Sequence, residues 1–354
     1  MINLDNLKDI RKYDRKDMAY LLADFPDQCS RAIKIALQAS LPSYKRIDEI
    51  LVCGMGGSGI GGEILKSVVE KELRIPLVIN KDYHIPEFVS PQTLVFSISY
   101  SGNTEETLSA YREAVKKKAK IVAITTGGRL AGLAKRNKVP VISIPSGLPP
   151  RASLGYLFFS LLITLERLGL VKNKKKECQE TLRLLKDLKK RFSLSSKTSS
   201  NQAKRIALRL YQNLPIIYTS PILSPAGLRW KGQLSENSKV LAFSNTFPEL
   251  NHNEIVGWRC LPGILKRCYL IILCDKKDSP RIKKRIKITS KIIKDEARGL
   301  DFLYSQGESL LTRLFSLIYL GDWVSYYLAI LNRIDPTPVK AIDYLKRELA
   351  KKNK

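Results

Sequence analysis

From Asp48 to Leu168 short apolar runs rich in branched residues, EILVCG, PLVIN, TLVFSIS, KIVAIT and VPVISIP, alternate with segments that repeat apolar positions at helical spacing, EILKSVVEKEL, TEETLSAYREAVKKK and RLAGLAKRN. Runs too short for a helix read as buried strands, and their alternation with helices predicts a parallel sheet covered on both faces. The pattern returns after about residue 202, with LPIIYTS, a helical LSPAGLRWKGQLSEN, KVLAFS, YLIILCD, a basic amphipathic helix, DFLYSQ and the long apolar LLTRLFSLIYLGDWVSYYLAIL. The chain is therefore expected to be α/β with two subdomains, each a parallel sheet with helices on both faces.

DMAYLLADFPDQCSRAIKIALQA carries apolar residues at helical spacing and predicts one or two amphipathic helices. Residues 171–201 are charged, poor in aromatics, and end in SLSSKTSSNQ, which reads as a helix and then a flexible crossover. The expected division is 1–45 as helices packed on the first subdomain, 46–170 as that subdomain, 171–201 as a charged linker and 202–354 as the second subdomain.

Composition narrows the class. With 354 residues and 44% hydrophobic content the chain can bury a sizeable core. No run reaches the roughly 18 consecutive apolar residues of a spanning helix; GYLFFSLLITLERL comes nearest and is broken by Glu166 and Arg167. The N-terminus is charged within a few residues and has no signal-peptide centre, so a cytoplasmic protein is expected, with no membrane partner. Six cysteines without a C-x-x-C pair, and two histidines, predict packing thiols and no metal site. The net charge of +28 comes from lysine-rich runs mixed with acids and without interleaved aromatics, as in KNKKKE, SPRIKKRIKITSKIIKDEAR and the terminal KKNK. Solvated helix faces account for them better than a nucleic-acid surface does.

Two loops carry the candidate chemistry. CGMGGSGIGG follows the first strand and can be read as G-x-G-x-x-G through Gly54, Gly56 and Gly59, a dinucleotide fingerprint, but any close strand-to-helix turn favours glycine. The third strand leaves through SYSGNTEET, where Ser99, Ser101 and Thr104 put hydroxyls beside a helix start with Gly102 allowing a tight turn. Hydroxyls and free first-turn N–H groups suit a phosphate monoester; a plain N-cap at Thr104 is the other reading. Both loops leave the carboxyl ends of parallel strands, where open sheets bind ligands. Together, with Gly56, Gly57 and Ser58 on one and Ser99, Ser101 and Thr104 on the other, they favour a small phosphorylated substrate over a dinucleotide-dependent oxidoreductase, which would have no use for the hydroxyl loop.

These residues resemble the sugar isomerase (SIS) family: SYSGNTEET is similar to its phosphosugar signature, and GMGGSGIGGE to the glycine loop of its bifunctional phosphoglucose/phosphomannose isomerase branch. DMAYLLADFPDQ, PSGLPPRASLGY, KGQLSENSK, FPELNHNEIVGW and DPTPVKAIDYLKREL extend the resemblance over most of the chain. The resemblance implies two SIS-type subdomains and reversible aldose–ketose isomerisation of glucose 6-phosphate and mannose 6-phosphate with fructose 6-phosphate, with no metal or other cofactor. It makes Glu236 the base that moves a proton between C1 and C2, and His252 the residue that opens the sugar ring from the opposing subunit of a homodimer. Lys346 of DYLKREL matches its catalytic lysine, with Lys340 as a neighbouring candidate, and Thr337 the position that admits either C2 epimer. Arg151 stands at the start of an apolar helix that has no other use for a cation, and a guanidinium there can hold an enediolate; the resemblance assigns it that role. A non-catalytic phosphosugar sensor is the alternative use of such domains, although the roughly 45 residues before the first strand make a poor DNA-binding module.

Overall fold

The computed structural model describes residues 2–349 and 351, so the terminal KKNK run lies outside the described residues except for Lys351. Two helices come first, α1 (Leu7–Tyr13) and α2 (Met18–Gln38). The first α/β unit follows as β1 (Glu49–Cys53), α3 (Gly56–Val69), β2 (Leu77–Asn80), β3 (Thr93–Ile98), α4 (Glu105–Lys116), β4 (Lys120–Thr125), α5 (Gly128–Arg136), β5 (Val141–Ser143) and α6 (Leu154–Arg167). Helices α7 (Lys175–Phe192) and α8 (Gln202–Leu210) lead to β6 (Leu214–Thr219), α9 (Ser224–Ser238), β7 (Phe243–Thr246), the single turn α10 (Pro262–Leu265), β8 (Cys268–Cys274), α11 (Pro280–Ile293) and β9 (Gly299–Tyr304). The chain ends in α12 (Leu310–Leu331) and α13 (Lys340–Leu349).

Both sheets are wholly parallel, with strand orders β2-β1-β3-β4-β5 and β7-β6-β8-β9. The central strands are apolar on both faces, yet their period-two geometry still divides them. Ile50, Val52, Leu94, Phe96, Val122 and Ile124 face one core, while Leu51, Cys53, Val95, Ile121 and Ala123 face another against α4 and α5. In the second sheet Ile217, Ile271 and Leu273 join that first core, and Ile216, Tyr218, Leu270 and Ile272 face a third core with Ile286 and Ile293 of α11. The first core is thus shared between the sheets, and Phe25, Phe158, Phe159, Phe315 and Tyr319 of α2, α6 and α12 meet at its centre.

Helix α12 is the one helix among the described residues long and apolar enough to cross a membrane, with mean hydropathy 1.5, and it is wholly buried. It, rather than the 155–168 segment, comes nearest to a spanning helix, and it holds Arg313 and Asp322 in ion pairs with Asp275 and Arg229. Other expectations shift locally. The crossover expected to be flexible is tied down: Asp5 accepts from Thr198 N at 2.9 Å and from the ammonium of Lys204 at 3.0 Å, and that ammonium also holds the carbonyls of Leu194 and Ser196. KVLAFS does not begin a strand at Lys239. The left-handed Lys239 (φ 56°) closes α9, and pairing with β6 starts only at Phe243.

Candidate active site

The glycine loop is shaped by what it packs against. Helix α3 starts at Gly56 without a side-chain cap, and a Cβ on Gly57 would come within 2.8 Å of the Pro150 carbonyl oxygen. Only a bare backbone lets the N-terminus of α3 close on the 150–152 turn, the turn that carries Arg151. Ser58, 6% exposed, is buried one residue further on, where the loop approaches the backbone of Ile98 at the end of β3.

The hydroxyl loop is the adjacent exit, since Cys53 of β1 pairs with Ser97 of β3. The backbone of Thr104 occupies the N-cap position of α4, but its side chain makes no capping bond; its hydroxyl lies 2.9 Å from that of Ser99 instead. The plain N-cap reading is therefore incorrect for this side chain, and the first-turn N–H groups of α4 keep their capacity for an anion. Ser101 is exposed at the tip and accepts from Asn103 N. Gly102, at φ +67°, turns the loop so tightly that a Cβ would sit 1.9 Å from the Gly127 oxygen. Gly102→Ala is expected to cost about 2 kcal/mol from left-handed strain and a forced loop shift, read as a lower urea midpoint.

Arg151 is the structural centre of the site. It is 3% exposed, and its donors bind elements distant in sequence: Nε donates to Asn237 Oδ1 at 2.6 Å, and one terminal nitrogen, Nη2, to the carbonyls of Pro336 and Thr337 at 2.7 Å each. The other, Nη1, lies 3.7 Å from the carboxylate of Glu236, whose side chain is 31% exposed. Burial draws the Arg151 pKa below the usual guanidinium value, opposed by the Glu236 charge. Its backbone is fixed as well, because its carbonyl accepts from Arg229 Nη2 at 2.6 Å, and Arg229 makes a two-pronged pair with Asp322 at 3.0 Å per bond.

Asn237, Arg229 and Asp322 were not singled out from the sequence. The signal for Asn237 was its position next to Glu236, but asparagine near a helix end reads as a cap. Asn237 is instead fully buried, and its amide donates to Ser325 of α12.

Glu236, Arg151, Thr337 and the glycine loop are brought together, and the hydroxyl loop is joined to them through Ile98. The Thr337 hydroxyl is buried and lacks a hydrogen-bond partner among the described residues. His252 and Lys346 stand apart: His252 is exposed on a turn between two short 3₁₀ stretches, and Lys346 is exposed on α13, which buries none of its described side chains. Lys340 opens that same helix and is also exposed. Bare apolar side chains occur in the same stretches of chain, with Val256 78% and Leu261 67% exposed after His252 in sequence, and Tyr344 and Leu345 exposed just before Lys346.

Comparison with known proteins identifies the family. Residues 43–129 match the SIS domain family, and residues 199–349 match the family described as bacterial phospho-glucose isomerase C-terminal SIS domain. The glucose-6-phosphate isomerase like protein from Thermus thermophilus shares the fold, with a TM-score of 0.65 at 18% identity over 96% of this chain and 99% of that one. The bifunctional phosphoglucose/phosphomannose isomerase of Aquifex aeolicus is 39% identical over 85% of this chain and 90% of its own length. That of Caldicellulosiruptor bescii is 46% identical over 332 residues, 92% of this chain and 97% of the relative. An α/β chain of two parallel sheets, matching these relatives almost end to end, belongs to the bifunctional phosphoglucose/phosphomannose isomerase family.

Proposed function

We propose that this protein interconverts glucose 6-phosphate and mannose 6-phosphate with fructose 6-phosphate through a cis-enediol, without a metal, in the cytoplasm. The observation that carries this reading is the Arg151–Glu236 pair: a buried cation with one nitrogen, Nη1, left over from its backbone and Asn237 bonds, facing a partly exposed carboxylate. Such a pair supplies both needs of the reaction, a base for a carbon-bound proton and a fixed donor for the oxyanion that forms.

In this mechanism the phosphate sits at Ser99, Ser101, Thr104 and the first turn of α4, and Gly56, Gly57 and Ser58 lie along the sugar. Glu236 takes the proton from C2 of the open-chain aldose and returns it to C1. The hydroxyl proton moves from O2 to O1, so that the C1 aldehyde becomes an alcohol and C2 becomes the ketone. Arg151 Nη1 holds the enediolate charge between the two transfers. Thr337 borders the C2 hydroxyl and admits both epimers, which fits its unpartnered hydroxyl.

His252 opens the ring from a second copy of the chain, and Lys346 acts near the same sugar, so the active unit is a homodimer with shared sites. The bare apolar side chains in the same stretches of chain support burial against a second copy, because such patches on a lone chain favour association. A coupled assay with each aldose phosphate, with and without chelator, tests the proposal. Comparable turnover of both sugars, unchanged by chelation, is expected; tight binding of fructose 6-phosphate with no turnover would replace the isomerase with a phosphosugar sensor.

A further inference from the structure

Lys239 belongs to neither phosphate loop and has no role in the chemistry above, yet its backbone and ammonium are both unusually committed. It closes α9 in the left-handed region, a position usually given to glycine because a Cβ there is strained by about 1 kcal/mol. The residue as a whole is exposed, but its ammonium turns back onto backbone carbonyls. It donates to Glu236 at 2.7 Å and to Asn237 at 3.4 Å, both at the end of α9. It also donates to Pro336 at 3.1 Å and Asp335 at 3.3 Å, in the segment joining α12 to α13.

The Pro336 carbonyl is the same oxygen that accepts from Arg151 at 2.7 Å. Two cations thus converge on one carbonyl, one of them holding the backbone of Glu236 and the other facing its carboxylate at 3.7 Å. Resting on the isomerase reading, we infer that Lys239 is a positioning residue for the reaction: its ammonium locks the helix end bearing Glu236 to the 335–337 segment, fixing the separation of carboxylate and guanidinium.

The clamp should depend on pH. An ammonium offers three donors to these carbonyls and a neutral amine only two. Burial of the ammonium, and then the Arg151 charge, push its pKa down to about 8 against the pull of Asp335 and Glu236. Arg15, from the turn before α2, and Lys340, from α13, line the adjoining cavity and add positive charge there. By linkage the lowered pKa makes folding slightly more favourable, not less, as pH rises from about 8 toward the unfolded value near 10.5, so deprotonation of Lys239 does not itself unfold the chain.

Lys239→Met is expected to lower kcat for fructose 6-phosphate by about ten- to a hundred-fold with KM within about two-fold, the signature of misplaced catalytic groups. Amide hydrogens of residues 335–342 should exchange faster in that variant. Wild-type kcat should decline above about pH 8, while Lys239→Arg, which keeps its charge, should restore much of the rate and remain level to about pH 9.5. A Lys239→Met enzyme with wild-type kcat and exchange, or a Lys239→Arg enzyme with the same alkaline decline, would overturn the assignment. If wild type turns over no hexose phosphate, the isomerase reading fails, and the exchange measurement alone decides whether the clamp exists: faster exchange upholds it and unchanged exchange removes it.

Discussion

Glu236→Gln is expected to lower kcat for interconversion of glucose 6-phosphate and fructose 6-phosphate by about 10²- to 10⁴-fold, with KM changed only a few-fold. The amide has the size and shape of the carboxylate, so substrate contacts and the end of α9 are retained, but it cannot take the C2 proton. The substitution also removes the charge 3.7 Å from Arg151, which leaves the guanidinium with its Asn237, Pro336 and Thr337 partners and little reason to move. A side chain 31% exposed contributes little to stability, so the thermal midpoint should stay near that of wild type. A nearly unchanged KM and thermal midpoint would exclude a distorted site, and the base itself is read from steady-state turnover and from loss of deuterium from C2-labelled aldose phosphate into water. Both should fall together. Turnover within about three-fold of wild type would remove Glu236 from the proton path, since a positioned base is worth far more.

What the sequence revealed follows from which forces act locally. The strands of the first sheet were legible because burial on both faces leaves short apolar runs, and EILVC, TLVFSI and KIVAIT became β1, β3 and β4 within a residue or so. The hydroxyl loop was legible for its composition, but two uses of Thr104 fitted that composition equally. Only the 2.9 Å approach to Ser99 distinguishes them. Lys239 misled because a basic residue before VLAF reads as a strand start, whereas its left-handed backbone is set by the end of α9.

The frame behind Arg151 was hidden for another reason. Arg151 meets Asn237, Arg229 meets Asp322, and Arg151 meets Pro336, pairs separated by 86, 93 and 185 residues. No periodicity spans such distances; the contacts exist because α6, α9 and α12 pack around one shared core. His252 and Lys346 differ again. Their roles came from family resemblance alone, and in a single chain both face solvent.

Asp322→Ala should be the most destabilising single change among the polar residues supporting the site, at about 3–5 kcal/mol. Asp322 is 2% exposed in the middle of α12, and its pKa is raised by burial even though Arg229 pulls it down. Desolvation therefore outweighs the attraction, and the pair is a poor source of net stability. Removing one member is nevertheless severe, because Arg229, 5% exposed, is left as a buried cation without its counter-charge. Replacing both, as in Arg229→Met with Asp322→Leu, should return the unfolding free energy to within about 1–2 kcal/mol of wild type, by chemical denaturation. Catalysis should not return with it. The double variant no longer donates to the Arg151 carbonyl, a 2.6 Å bond that fixes the turn carrying the guanidinium, and kcat is expected to remain about ten-fold or more below wild type. A double variant that recovered both stability and full turnover would show that Asn237, Pro336 and Thr337 alone suffice to hold Arg151. Stability without turnover would instead explain why so apolar a helix keeps an ion pair: the pair sets the position of Arg151 from the second subdomain.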